Sequence, residues 1–139
     1  MALDMTPTIA IHLSAALAAT VIGPLALWAR QGRTQRPRLH RAFGYAWVTL
    51  MIVTALSALF IRSTTIVNIR GYTPIHLLIP VVFFALFGAF WYLAQRDIAG
   101  HRRVMRITYV VACIVAGSFT LLPNRYLGNL LWKQWLALA

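Results

Sequence analysis

Four apolar stretches, each about as long as a membrane-spanning helix, dominate the sequence. They cover roughly residues 8–29, 42–61, 74–94 and 104–122. A helix needs about 20 apolar residues to cross the hydrocarbon core of a bilayer, and each stretch approaches or meets that length. Hydrophobic residues make up 60% of the chain, and the connections between the stretches are short. We therefore expect one all-α domain over residues 1–139, an integral membrane antiparallel four-helix bundle.

The net charge of +11 comes from basic residues that are unevenly distributed along the chain. Nine of the thirteen lysines and arginines flank the first and third connections, namely Arg30, Arg33, Arg36, Arg38, Arg41, Arg96, Arg102, Arg103 and Arg106. Such placement is typical of topology signals and lipid-headgroup contacts rather than of nucleic-acid binding. The positive-inside rule predicts that these connections are cytoplasmic, with both termini periplasmic, in a bacterial inner membrane.

Acidic residues are almost absent, which excludes several kinds of chemistry. Asp4 and Asp97 are the two carboxylates of the chain, and both lie outside the apolar stretches. No carboxylate is therefore available within the bilayer for proton relay or cation binding, which argues against an ion-coupled transporter and a hydrolase. Cys113 is the single cysteine, so a disulfide and a Cys-x-x-Cys motif are both excluded.

Several residues mark where helices begin. Thr6 and Thr73 each precede a proline, which combines an N-cap residue with a proline at the first helical position. We expect the second helix to begin at Pro37 and the fourth at Asp97, whose negative charge suits a helix N-terminus. The segment 124–139 has leucine at helical spacing together with tryptophan and lysine. This pattern predicts a C-terminal amphipathic interfacial helix on the outer surface, or a docking segment for another subunit.

Each apolar helix carries one histidine, and the four lie at two depths. His12 and His76 lie just inside the first and third stretches, and His40 and His101 lie at the start of the second and fourth. If the first hairpin turns near Arg33, His12 and His40 differ in depth by 14 residues, or about 21 Å. A second turn near Asp97 gives 17 residues, or about 25 Å. The two halves also resemble a degenerate repeat, since "IHLSAALAA" matches "IHLLIPVVF" in its histidine placement.

Two stacked bis-histidine haem sites would explain this pattern. Haem b needs an imidazole from each of two facing helices and no carboxylate. We expect His12 and His76 to ligate an outer haem, and His40 and His101 an inner one. Arginines can pair with haem propionates, and at the inner haem the candidates are Arg38, Arg41, Arg102 and Arg103.

The sequence alone leaves several different roles for the histidines open. Each could instead hydrogen-bond a backbone carbonyl or a lipid headgroup, and contact with quinone, a single haem, copper or zinc are further possibilities. Zinc prefers three or four clustered ligands, whereas these histidines form separated pairs. Transmembrane electron transfer, with quinone or a redox partner subunit, is therefore the favoured function. The alternative is an accessory subunit that packs against a larger respiratory or photosynthetic membrane complex.

Most of the chain resembles a known family, and the resemblance is most specific in the second half. The segments "LHRAFGYAWV" and "RDIAGHRRVMRITYVVACIVAGSFTLLPNRYLG" are similar to those of a family of bacterial predicted membrane proteins with four spans, grouped as a domain of unknown function. The resemblance implies a four-helix inner-membrane protein and no particular activity. The two-tier histidine placement is similar to that of the cytochrome b561 core, by analogy alone.

Overall fold

The first hairpin consists of two 22-residue helices. The computed structural model describes residues 5–33, 35–62, 69–122 and 126–136. Helix α1 spans Pro7–Trp28, and the hydroxyl of Thr6 accepts the N–H of Ile9 at 3.3 Å where it begins. Helix α2 spans Pro37–Ala58. Both predicted starts are confirmed, and each helix has proline at its first position, where no intrahelical N–H bond is lost.

The second hairpin begins with a short 3-10 turn. This turn spans Pro74–Leu77 and leads into helix α3, Leu78–Ala94. After a tight reversal, helix α4 spans Ile98–Thr108. Its N-cap is Asp97, as predicted, and one carboxylate oxygen accepts the N–H of Gly100 at 2.8 Å.

Helix α4 continues into two further helical segments. These are a π-helix over Tyr109–Val115 and helix α5 over Ala116–Phe119, and we call the whole run from Ile98 to Phe119 the fourth rod. Among the described residues, α1, α2 and the run Pro74–Ala94 are long and apolar enough to cross a membrane. The prediction of four spans is therefore confirmed for three. The fourth rod begins at the predicted cap, six residues before the apolar stretch 104–122, and its first half is rich in arginine.

One hydrophobic core joins α1, α2, α3 and the fourth rod. It contains Ala19 from α1, Trp47 and Met51 from α2, Val82 and Leu86 from α3, and Cys113 from the π-helix. The closest packing is within each hairpin, α1 against α2 and α3 against α4, with smaller contacts between α2 and α3 and between α1 and the π-helix. Many large apolar side chains outside this core are exposed, as expected for surfaces that face lipid.

The C-terminal segment folds back onto the end of the fourth rod. Helix α6 spans Tyr126–Asn129 and a π-helical turn follows over Leu130–Trp135. The N–H of Gly128 bonds to the carbonyl of Thr120 at 3.1 Å, and the indole N–H of Trp132 donates to the carbonyl of Leu121 at 2.8 Å. The predicted interfacial helix is thus helical between residues 126 and 135, while residues 124, 125 and 137–139 lie outside the described part.

Candidate functional site

His12 joins the start of α1 to the end of α2. Its Nδ1 lies 3.0 Å from the carbonyl oxygen of Thr54 and 3.2 Å from the hydroxyl of Ser57. A carbonyl oxygen can only accept, so Nδ1 carries the proton and donates it. The ring is half-buried between the two helices.

His40 makes the matching contact at the other end of the same hairpin. Its Nδ1 donates to the carbonyl of Ala26 at 2.8 Å. Ala26 is within the last four residues of α1, where carbonyls lack an intrahelical partner. The imidazole therefore satisfies an orphan carbonyl of the preceding helix and holds the hairpin closed.

His101 makes a similar contact in the second hairpin, with a carbonyl inside α3 rather than in its last turn. Its Nδ1 donates to the carbonyl of Ala89 in α3 at 2.9 Å. Like His40, it lies in the first turns of the hairpin's second helix and contacts a buried alanine in the first. This equivalence supports the internal repeat that the histidine placement predicts.

His76 has a different environment, because both of its ring nitrogens have partners. Its Nε2 donates to the carbonyl of Ile61 at 3.0 Å. Its Nδ1 then accepts the N–H of Thr73 at 3.1 Å, which completes a capping box at the start of the 3-10 turn. The ring also packs edge-on against Tyr72, with 5.1 Å between centroids.

The hydrogen bonds set the depths of two histidine tiers, the outer tier of His12 and His76 and the inner tier of His40 and His101. One hydrogen bond joins His12 to Thr54 and another joins Ala26 to His40. The two bonds are 14 residues apart on α1 and also 14 residues apart on α2. At about 1.5 Å per residue this separation is about 21 Å, as predicted for the first hairpin. In the second hairpin His76 and Ala89 are 13 residues apart rather than the predicted 17. The reversal is centred on Gln95 rather than Asp97, so both hairpins have nearly equal separations.

The structure brings the outer pair together more clearly than the inner pair. His12 bonds to Thr54 and Ser57 near the end of α2, and His76 bonds to Ile61 just beyond that end. His40 and His101 are each hydrogen-bonded within their own hairpin. The four candidate propionate partners, Arg38, Arg41, Arg102 and Arg103, are all exposed. Among the described residues, no three His, Cys, Asp or Glu side chains cluster as a metal site would require.

Three histidines have the geometry of a potential metal ligand. When Nδ1–H donates to a backbone carbonyl, the lone pair of Nε2 is left free to ligate, and metal-bound histidines are usually oriented this way. In the described part of the chain, Nε2 of His12, His40 and His101 has no hydrogen-bond partner. His76 would have to give up one of its two bonds first.

A close contact between α1 and the π-helix was not predicted from the sequence. Pro24 lacks an N–H, which leaves the carbonyl of Thr20 without its helical partner. The hydroxyl of Tyr109 donates to that carbonyl at 3.0 Å, and its ring lies against Gly23. A proline in mid-helix, one position after a glycine, is the signal that could have located this contact.

The fold and the site define the class of the protein as an all-α integral membrane protein with histidines that join its helices in pairs. More particularly, the chain belongs to the family described as Predicted membrane protein (DUF2306), which matches residues 9–118. The resemblance noted from the sequence is thereby confirmed. Comparisons with curated proteins and with solved structures gave no match. Membership assigns no activity, so the function has to be argued from the site.

Proposed function

We propose that the protein transfers electrons across a membrane through two b-type haems, one in each histidine tier. The observation that carries the proposal is the shared orientation of His12, His40 and His101. Each donates Nδ1–H to a backbone carbonyl of the neighbouring helix, which fixes the tautomer and leaves Nε2 available. Histidines in this orientation occur at both depths of the fold, about 21 Å apart.

The donor set fits bis-imidazole ligation. His12 and His76 would hold the outer haem and His40 and His101 the inner one. Haem iron with two histidine ligands supplies one-electron chemistry when bound. The residues around it would exclude water and hold the imidazoles in place through the carbonyls of Thr54, Ala26 and Ala89.

The surroundings supply positive charge on one side. Arg38 and Arg41 in the first turns of α2, and Arg102 and Arg103 in those of α4, would pair with the inner propionates. A quinone or a redox partner subunit would deliver or accept the electrons. We place this end in the cytoplasm of a bacterial cell, with the fourth rod as a fourth span completing the antiparallel bundle and both termini in the periplasm.

One observation favours the accessory-subunit alternative. All four histidines already have partners within the chain, so their roles in joining helices are sufficient to account for their presence. In an accessory subunit, the exposed aromatic side chains of α3, including Phe84 and Phe87, would pack against a larger complex or lipid.

A haem measurement separates the two functions. The protein would be produced with ample haem supply, purified, and assayed by pyridine haemochrome. We expect about two haems per chain in the parent protein and about half as much in His40→Ala or His12→Ala. Tyr109→Phe is the matched control, because it removes a comparable bond to a backbone carbonyl and no imidazole. A colourless parent protein, or full haem in every histidine variant, would favour the accessory role instead.

A further inference from the structure

Arg106 lies level with the middle of a membrane-spanning helix. The bond from His101 to Ala89 sets the register of the fourth rod against α3. A groove of about 270 Å³ is lined by residues of both segments, including Ile75 and Val115. Ile75 is 14 residues before Ala89 and Val115 is 14 residues after His101, so the groove agrees with the same register. Five residues beyond His101, Arg106 is therefore level with Phe84, the centre of the run Pro74–Ala94. This is about 15 Å from the Ala94 end of the helix.

The environment of Arg106 lacks the partner that such a depth requires. Its side chain is exposed on the outside of the rod, beside apolar neighbours such as Ile107 and Val110. Within the described residues it forms no hydrogen bond or ion pair. A guanidinium in the apolar part of a bilayer is costly unless it reaches an anion or water.

Self-association through this face brings arginines together rather than supplying an anion. Asp97 caps α4 nine residues before Arg106, at the end of the fourth rod next to the second hairpin turn. In a second copy with the same orientation Asp97 is therefore about 13 Å along the rod from the level of Arg106.

Two neighbouring arginines point the same way as Arg106. On a helix with about 100° per residue, Arg102 lies about 40° from Arg106 and Arg103 about 60° from it. All three are exposed, and they lie about 100° to 160° around the helix from His101, which contacts α3. Arg102 is one turn closer to the headgroups, and two like charges four residues apart repel each other without an anion between them.

We propose that Arg102 and Arg106 bind the phosphate of an anionic phospholipid from the leaflet at the Asp97 end. The arginine side chains extend along the rod toward the headgroups. The phosphate accepts from both guanidinium groups, which are stacked one helical turn apart. The lipid is favoured over a partner helix because this end of the protein carries nine of the thirteen basic residues, so the whole region attracts anionic headgroups. Arg102 is also a candidate partner of an inner haem propionate, whereas Arg106 has no haem role, so a variant of Arg106 tests the lipid site separately from the proposed electron transfer.

Lipid retention measured by native mass spectrometry tests the proposal. The full chain in neutral detergent would be titrated with phosphatidylglycerol and, separately, with phosphatidylcholine of identical acyl chains. We expect the parent protein to prefer phosphatidylglycerol, and Arg106→Gln to lose about fivefold in that preference, which corresponds to about 1 kcal/mol for one arginine. Arg102→Gln should behave similarly, whereas Arg106→Lys should keep part of the preference because it keeps the charge.

The matched control lies at the opposite end of the molecule. Arg62 is also exposed, but its guanidinium donates to the carbonyl of Arg70 at 3.1 Å and lies 5.2 Å from the ring of Tyr72. Arg62→Gln should retain the parent's lipid preference. Equal affinity of the parent for both lipids, or an unchanged preference in Arg106→Gln, would overturn the proposal and favour a carboxylate on a partner helix as the counter-charge of Arg106.

Discussion

Replacing Gly23 by alanine should destabilise the contact between α1 and the π-helix. A Cβ atom at Gly23 would lie 2.5 Å from two ring carbons of Tyr109 and 3.0 Å from the indole nitrogen of Trp47. Trp47 is 2% exposed, so its ring has little free space around it. Overpacking of this kind costs about 1–3 kcal/mol.

The matched control is Gly44→Ala, because Gly44 is also inside a helix and a Cβ there meets nothing within 4 Å. Both substitutions gain about 1 kcal/mol of helix propensity. The propensity gain cancels in the comparison, so Gly23→Ala should be less stable than Gly44→Ala by about 1–3 kcal/mol. Equilibrium unfolding in mixed micelles, followed by tryptophan fluorescence, measures this difference.

A double variant tests the cause. If the ring of Tyr109 creates the strain, Gly23→Ala should cost less in a Tyr109→Ala background than in the parent protein. Equal stability of the Gly23→Ala and Gly44→Ala proteins would refute the close approach of α1 and the π-helix. If Gly23→Ala lowers the free energy of unfolding as much in the Tyr109→Ala background as in the parent protein, Trp47 rather than Tyr109 limits the space.

Three further outcomes follow from local geometry. Arg96 has φ of 62° in the second hairpin turn, so Arg96→Gly should raise the free energy of unfolding by about 1 kcal/mol, and an unchanged midpoint would contradict this strain. His40→Ala should lower it by about 1–2 kcal/mol, because the carbonyl of Ala26 loses its donor; a smaller loss would mean that water replaces the imidazole. Cys113 is 9% exposed and should react with maleimide after unfolding in SDS but not in mild detergent, where rapid labelling would place the π-helix at the surface.

The sequence predicted the helix starts well, because a capping residue acts on its own helix. Threonine before proline located two starts, and Asp97 located a third, because capping depends on a few adjacent residues. The depth of the first hairpin was also predictable, since its turn is symmetric about Arg33. The second hairpin was not, because Asp97 belongs to α4 and the chain reverses at Gln95 and Arg96.

Contacts between helices determine the remaining features, which could not be read along the chain. The π-helix places Cys113 in the core, with its sulfur 3.8 Å from that of Met51, yet no local pattern in the sequence distinguishes a π-helix from an α-helix. The hydrogen bonds of the histidines also join segments up to 45 residues apart. The spacing predicted that the histidines lie at two depths, but the choice of carbonyl partner depends on the register of each hairpin.

The two tiers differ in how readily they could hold haem, and this difference leads to a final prediction. At the inner tier, His40 and His101 both keep their carbonyl bonds while Nε2 stays free. At the outer tier, His76 must release either the carbonyl of Ile61 or the N–H of Thr73 before it can ligate. Losing such a bond costs about 0.5–1.5 kcal/mol, or roughly two- to twelvefold in affinity. When haem is limiting, the inner tier should therefore fill first. His101→Ala should abolish this first bound fraction and His76→Ala should leave it intact, as measured by haem titration of the apoprotein. The reverse order would show that the bonds of His76 do not hinder ligation.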